Sequence, residues 1–150
     1  MKSEFVQFVF VLIAIVVSAA AEELLPSFAG VGLPLLLALV VAASFGMKVL
    51  PSVMTAAGAG AFEDALSSLP PMTSVCFFVI AALVSRQSRY PRPIMLLLFP
   101  LHELWAGLCS VGPLGESFGR VLVALPLGAV ATVVQRFALA WAERRAGIDE

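Results

Sequence analysis

Six apolar runs, each ended by a short polar break, constrain this chain more than any other feature. They fall at about residues 5–21, 28–45, 49–69, 72–84, 94–110 and 118–141. A helix crossing the hydrocarbon core of a bilayer needs about 20 mostly apolar residues. Six such runs use up most of a chain of 150 residues and leave only short connections. Composition agrees: 61% of the residues are hydrophobic and 13% charged, against about 25% charged in an average soluble domain. The expected fold is therefore an all-α membrane protein. It is a compact bundle of six transmembrane helices forming one integral membrane domain over residues 1–150, with no room for a separate catalytic domain.

The placement of Lys and Arg orients these runs. Lys2, Lys48, the Arg86/Arg89/Arg92 group and Arg144/Arg145 fall on the N-terminus, the second and fourth connections and the C-terminus. The first, third and fifth connections hold neither residue type. Cytoplasmic loops carry the excess of Lys and Arg, so six crossings put both termini in the cytoplasm. Ala19-Ala20-Ala21 before Glu22 resembles a signal-peptidase site. Glu4 and the length of the first apolar run argue instead for a retained span.

In lipid, helices meet where small residues let their backbones approach. Ala56, Gly60 and Asp64 form one such stripe, Ala57 and Ala61 flank it, and Ala124, Gly128 and Thr132 form another. Ala14 and Ser18 make a weaker one. Residues four apart share a helix face, so each stripe suits either packing within the chain or a docking partner helix. Pro34, Pro51, Pro100 and Pro126 fall within or near the start of runs and point to an irregular bundle.

Ionisable groups at membrane depth are expensive and need a reason. Glu63 and Asp64 come late in the third run, near the expected outer surface, and Asp64 continues the Gly60 stripe. His102 and Glu103 sit more centrally. They suit an interhelical hydrogen bond or ion pair, or a proton or ligand site. Arg120 is a candidate partner for Glu103 or Asp64, and Arg136 is placed to snorkel. Cys76 and Cys109 lie in apolar runs and read as small buried hydrophobes rather than as a metal or redox pair.

A net charge of −1 gives no basic footprint for nucleic acid. With one histidine and neither a nucleophile elbow nor a phosphate loop, no catalytic, cofactor or metal residue is assigned.

The segment from Gly60 to Pro70 resembles the rod shape-determining protein family MreD. In that family a span carries a Gly, an Asp four residues on, a Leu and a Ser, then a Pro-Leu-Gly turn. Gly60, Asp64, Leu66, Ser67 and Pro70 match in spacing, and Pro71-Met72 stands where Leu-Gly is usual. The six-run layout and the length fit as well. The resemblance implies a non-enzymatic scaffold of the cell-elongation and peptidoglycan-synthesis complex in a bacterial inner membrane. Its partners would be membrane lipids, an MreC-like single-span protein and, through it, MreB, RodA and penicillin-binding protein 2. It also implies a fold similar to the substrate-binding subunits of energy-coupling-factor vitamin transporters, which is the alternative reading. The outer connections offer few polar groups for a vitamin, chiefly Glu22, Glu23, Ser67, Ser68 and Glu116. The residues expected to bind a partner or to hold the fold through polar contacts are Gly60, Glu63, Asp64, Ser67, Pro70, His102, Glu103, Arg120 and Gly128.

Overall fold

A computed structural model describes residues 2–28, 30–45, 47–67, 69–87, 93–110 and 114–146. Arg89, Arg92 and Ser68, together with the side chains of Lys2, Glu4 and Glu116, lie outside that description. The described residues form six α-helices: α1 Lys2–Leu24, α2 Leu35–Ser44, α3 Val49–Leu66, α4 Thr73–Arg86, α5 Leu98–Cys109 and α6 Leu114–Ala146. A 3₁₀ turn, Pro93–Leu97, leads into α5.

Helix α2 organises the bundle. Leu35 to Val41 are all buried, and α2 packs on α1, α3, α4 and α6. The helix carries no charge and is apolar on every side, the pattern of a helix enclosed by others. The remaining helices pair as hairpins, α3 along α4 and α5 along α6. Their outward faces stay apolar: Leu12, Ile13, Val16 and Val17 on α1 and Leu122, Val130, Val133, Val134 and Phe137 on α6 are exposed.

The helix count matches the six apolar runs, but the boundaries differ where backbone chemistry overrides hydropathy. The second run is apolar from Phe28, yet its helix begins only at Leu35. Phe28 and Val31 instead exchange two backbone hydrogen bonds of 2.8 and 3.0 Å. Gly30 takes φ +77° there, a conformation open chiefly to glycine, and Pro34 precedes the first helical turn. Ten residues rise about 15 Å, half of a hydrocarbon core of about 30 Å. The fifth run likewise opens as a 3₁₀ turn after Pro93. Among the described residues, one stretch, Gly119–Ala142 in α6, is long and apolar enough to cross a membrane by length and composition.

Polar side chains tie the helices at depth. Gln135 of α6 donates through Nε2 to Ser18 Oγ of α1 at 2.7 Å and to the Leu35 carbonyl of α2 at 3.1 Å. Ser52 at the start of α3 donates to Ser44 at the end of α2 at 2.9 Å. With Ile15, Ser18 and Ala19 buried, α1 is an integral wall of the bundle.

The α5–α6 contact depends on one missing side chain. The Phe99 ring occupies the space where Gly128 lacks a Cβ, and even Phe99 Cβ is only 2.7 Å from that position. Gly128→Ala should therefore destabilise the fold by about 1–3 kcal/mol through overpacking. Adding Phe99→Leu should return part of the loss, read as thermal unfolding of the purified protein in detergent.

Candidate functional site

The polar residues singled out by sequence gather at one end of the bundle, where α1 and α3 finish and α2 and α4 begin. Asp64, in the last turn of α3, accepts from the backbone N–H groups of Ser74 at 2.8 Å and Val75 at 3.5 Å. A helix start leaves such donors unpaired, and a carboxylate there also meets the positive end of the helix dipole. One turn earlier, Gly60 packs on the same segment. A Cβ there would lie 2.6 Å from Val75 Cα. The spacing of Gly60 and Asp64 thus welds α3 to α4.

The connection between these helices completes the motif. The Pro70 carbonyl accepts from Thr73 Oγ1 at 2.6 Å. Met72, directly before α4, has φ +70°. A non-glycine residue is strained in that region. Trp105 of α5 donates from Nε1 to the Thr73 carbonyl at 2.9 Å, fixing α5 against the same turn.

Glu22 repeats the device one hairpin earlier. From the last turns of α1 it accepts from the Leu36 backbone N–H at 2.7 Å, so α1 caps α2 as α3 caps α4. Sequence reasoning placed Glu22 in a connecting loop and did not single out Gln135. The available signal for Gln135 was a lone amide within the most apolar stretch of α6. For Glu22 it was a carboxylate shortly before the Gly30 and Pro34 breaks.

Between these caps lies a cavity of about 190 Å³. Glu22, Glu23, Glu63 and Glu103 line it, with His102, Phe78 and Ser67 among its other walls. The adjacent carboxylates of α3 therefore divide their work: Asp64 serves α4 and Glu63 faces the cavity. Glu22 and Glu63 lie within hydrogen-bonding reach of each other. His102 is 7% exposed, its ring tilted against Phe77 and Phe78 at centroid distances of 5.1 and 5.4 Å. Among the described residues its Nε2 has no hydrogen-bond partner, and neither does Ser67 Oγ. Among the described residues, no three His, Cys, Asp or Glu side chains are placed to hold a metal ion.

Several expected roles change in place. Gly60 and Gly128 face Val75 and Phe99 of their own chain, so neither offers an open surface to another helix. Nε2 of His102 makes no interhelical hydrogen bond. The Arg120 guanidinium rests against the Gly30 turn, close enough to Glu103 to act on its charge. Arg136 lies over the Phe45 ring at 5.9 Å. Cys76 is exposed rather than buried, and both Cys76 and Cys109 are free thiols. Their apolar surroundings in sequence come from an outward helix face, not from the core.

Set against protein-family models, curated proteins and solved structures, the chain matches none.

Two substitutions test the α3–α4 connection in opposite directions. Asp64→Ala should lower stability by about 1 kcal/mol, the usual cost of a lost helix cap. Met72→Gly should raise it by about 1 kcal/mol by relieving the left-handed residue. Thermal unfolding in detergent reads both.

Proposed function

We propose that this chain is a non-enzymatic membrane scaffold of the bacterial cell-elongation machinery, acting as members of the MreD family do. In this reading the six helices sit in the inner membrane with both termini in the cytoplasm. The chain engages an MreC-like single-span protein and, through it, MreB, RodA and penicillin-binding protein 2. The observation that carries the reading is the α3–α4 connection. Gly60, Asp64 and Pro70 each have a packing or capping task there. Met72 adopts a left-handed φ at the position where the family's turn has glycine. The residue departs from the pattern while the backbone keeps the conformation that a glycine suits.

The membrane part of the reading draws on two further observations. The outer faces of α1 and α6 are apolar and exposed, as a lipid solvent favours. The acidic residues Glu22, Glu23, Glu63 and Asp64 collect at one end of the α1–α2 and α3–α4 hairpins, whereas Lys48 and Arg86 lie at the α2–α3 connection and the end of α4. Short α2 fits a membrane because it is enclosed by protein, where backbone irregularity is tolerated. Since Gly60 and Gly128 are engaged internally, the partner helix docks elsewhere on the bundle.

The carboxylate-lined cavity is the one feature favouring the alternative, a substrate-binding subunit of a vitamin transporter. Its volume of about 190 Å³ falls below the roughly 300–1,000 Å³ of small-molecule sites, which favours the scaffold.

Depleting the protein from a rod-shaped bacterium that carries it should round the cells, and an MreC-like protein should co-purify with it. Unchanged rods together with tight binding of a vitamin by the purified protein would replace the scaffold with the transporter. Independently, green fluorescent protein fused after Ala146 should fluoresce, and alkaline phosphatase inserted after Pro26 should be active. The reverse pattern would refute the orientation.

A further inference from the structure

We propose that the cavity between the α1–α2 and α3–α4 caps is a binding site for a guanidinium or alkylammonium group. This goes beyond the scaffold reading and does not rest on it. Glu22 and Glu23 from α1, Glu63 from α3 and Glu103 from α5 converge on the cavity, and among the described residues no Lys or Arg lines it. Arg120, whose charge acts on Glu103, lies against the Gly30 turn. Glu22 and Glu63 are within hydrogen-bonding reach of each other, so the pair either shares a proton or is joined by a cation.

Independent of the carboxylates, His102 points to a missing donor. It lines the same cavity, is 7% exposed, and has an Nε2 without a partner among the described residues. A buried polar atom left unpaired in a native fold calls for an explanation such as an absent ligand. Ser67 Oγ, also lining the cavity, is open in the same way.

The chemistry of the walls selects among cations. A bare metal ion needs several ligands at bonding distance, and the described residues supply no such trio. A guanidinium presents five N–H donors in a rigid fork and an ammonium three, enough to serve separated carboxylates and an imidazole nitrogen together. Phe78 in the wall adds an aromatic ring, a favourable neighbour for an organic cation. A volume of about 190 Å³, below the roughly 300–1,000 Å³ of drug-sized sites, suits a headgroup rather than a large solute. Access runs past Glu23, Gly32 and Leu66, all exposed. The cationic group has two sources, a free small amine or a Lys or Arg side chain of another polypeptide.

The test uses the full chain in dodecyl maltoside, a neutral detergent without ammonium groups. Methylguanidinium and its neutral analogue N-methylurea are titrated and followed by saturation-transfer NMR. Methylguanidinium should bind saturably with a Kd on the order of 1 mM, and N-methylurea at least about tenfold more weakly. Glu63→Gln, which keeps shape and removes charge, should weaken methylguanidinium by about tenfold. Glu103→Gln gives the same reading if Glu63→Gln loses its helical circular dichroism. Equal binding of N-methylurea, unchanged binding by a folded variant, or no saturable binding overturns the proposal. A second titration with N-acetyl-arginine methylamide separates the sources. Tighter binding than methylguanidinium assigns a polypeptide side chain, and weaker binding a free amine.

Discussion

Enclosure of α2 is the constraint on which the rest of the structure depends. A helix surrounded by protein has no water for its terminal backbone groups, and each one left unpaired costs about 1–3 kcal/mol. Glu22 meets the Leu36 N–H, one of these terminal donors, while Gln135 adds a bond to the Leu35 carbonyl and Ser52 bonds the side-chain hydroxyl of Ser44. Each solution recruits a different neighbour, so satisfying one short helix fixes the positions of α1, α3 and α6. Burial and polar satisfaction are here the same requirement.

The two carboxylate caps also explain why acid accumulates at one end of the bundle. In each case the end of one helix supplies the cap for the next, across fourteen residues for Glu22 and ten for Asp64. Holding α1 to α2 and α3 to α4 brings the last turns of α1 and α3 together, and with them the second carboxylate of each acidic pair. Glu23 and Glu63 are thereby left lining a cavity beside His102 and Glu103. The cavity thus follows from how two helix starts are satisfied, furnished by the Glu22 cap together with carboxylates that the caps did not use.

Much of this was legible in the sequence, and the remainder was not for identifiable reasons. Apolar runs revealed six helices because burial in protein and burial in lipid ask for the same residues. For that reason hydropathy alone did not reveal that α2 is short and central while α6 is long. Its scale ignores the backbone demands of Gly30 and Pro34. The Gly60–Asp64 spacing was visible as a stripe because it lies on one helix face. Its role as a weld to α4 required knowing which helix faced it. Glu22 and Gln135 carry no local pattern, and Ser18 only a weak stripe with Ala14. Their meaning arises from contacts between residues as much as 117 positions apart, beyond any window of periodicity. Cys76 shows the converse: an apolar neighbourhood along the chain says nothing of which way a side chain faces.

The Gln135 tie sets a temporal order on folding. Ser18 and Leu35 are made early, but the amide that joins them belongs to the last helix, one hundred residues after Leu35. Until α6 is made, the α1–α2 pair lacks the amide that joins the Ser18 hydroxyl to the Leu35 carbonyl. Nascent chains cut short before α6 lack the clasp altogether. The bundle is closed by its sixth helix, so the set of six, rather than any leading portion of it, is the unit in which this architecture becomes self-consistent.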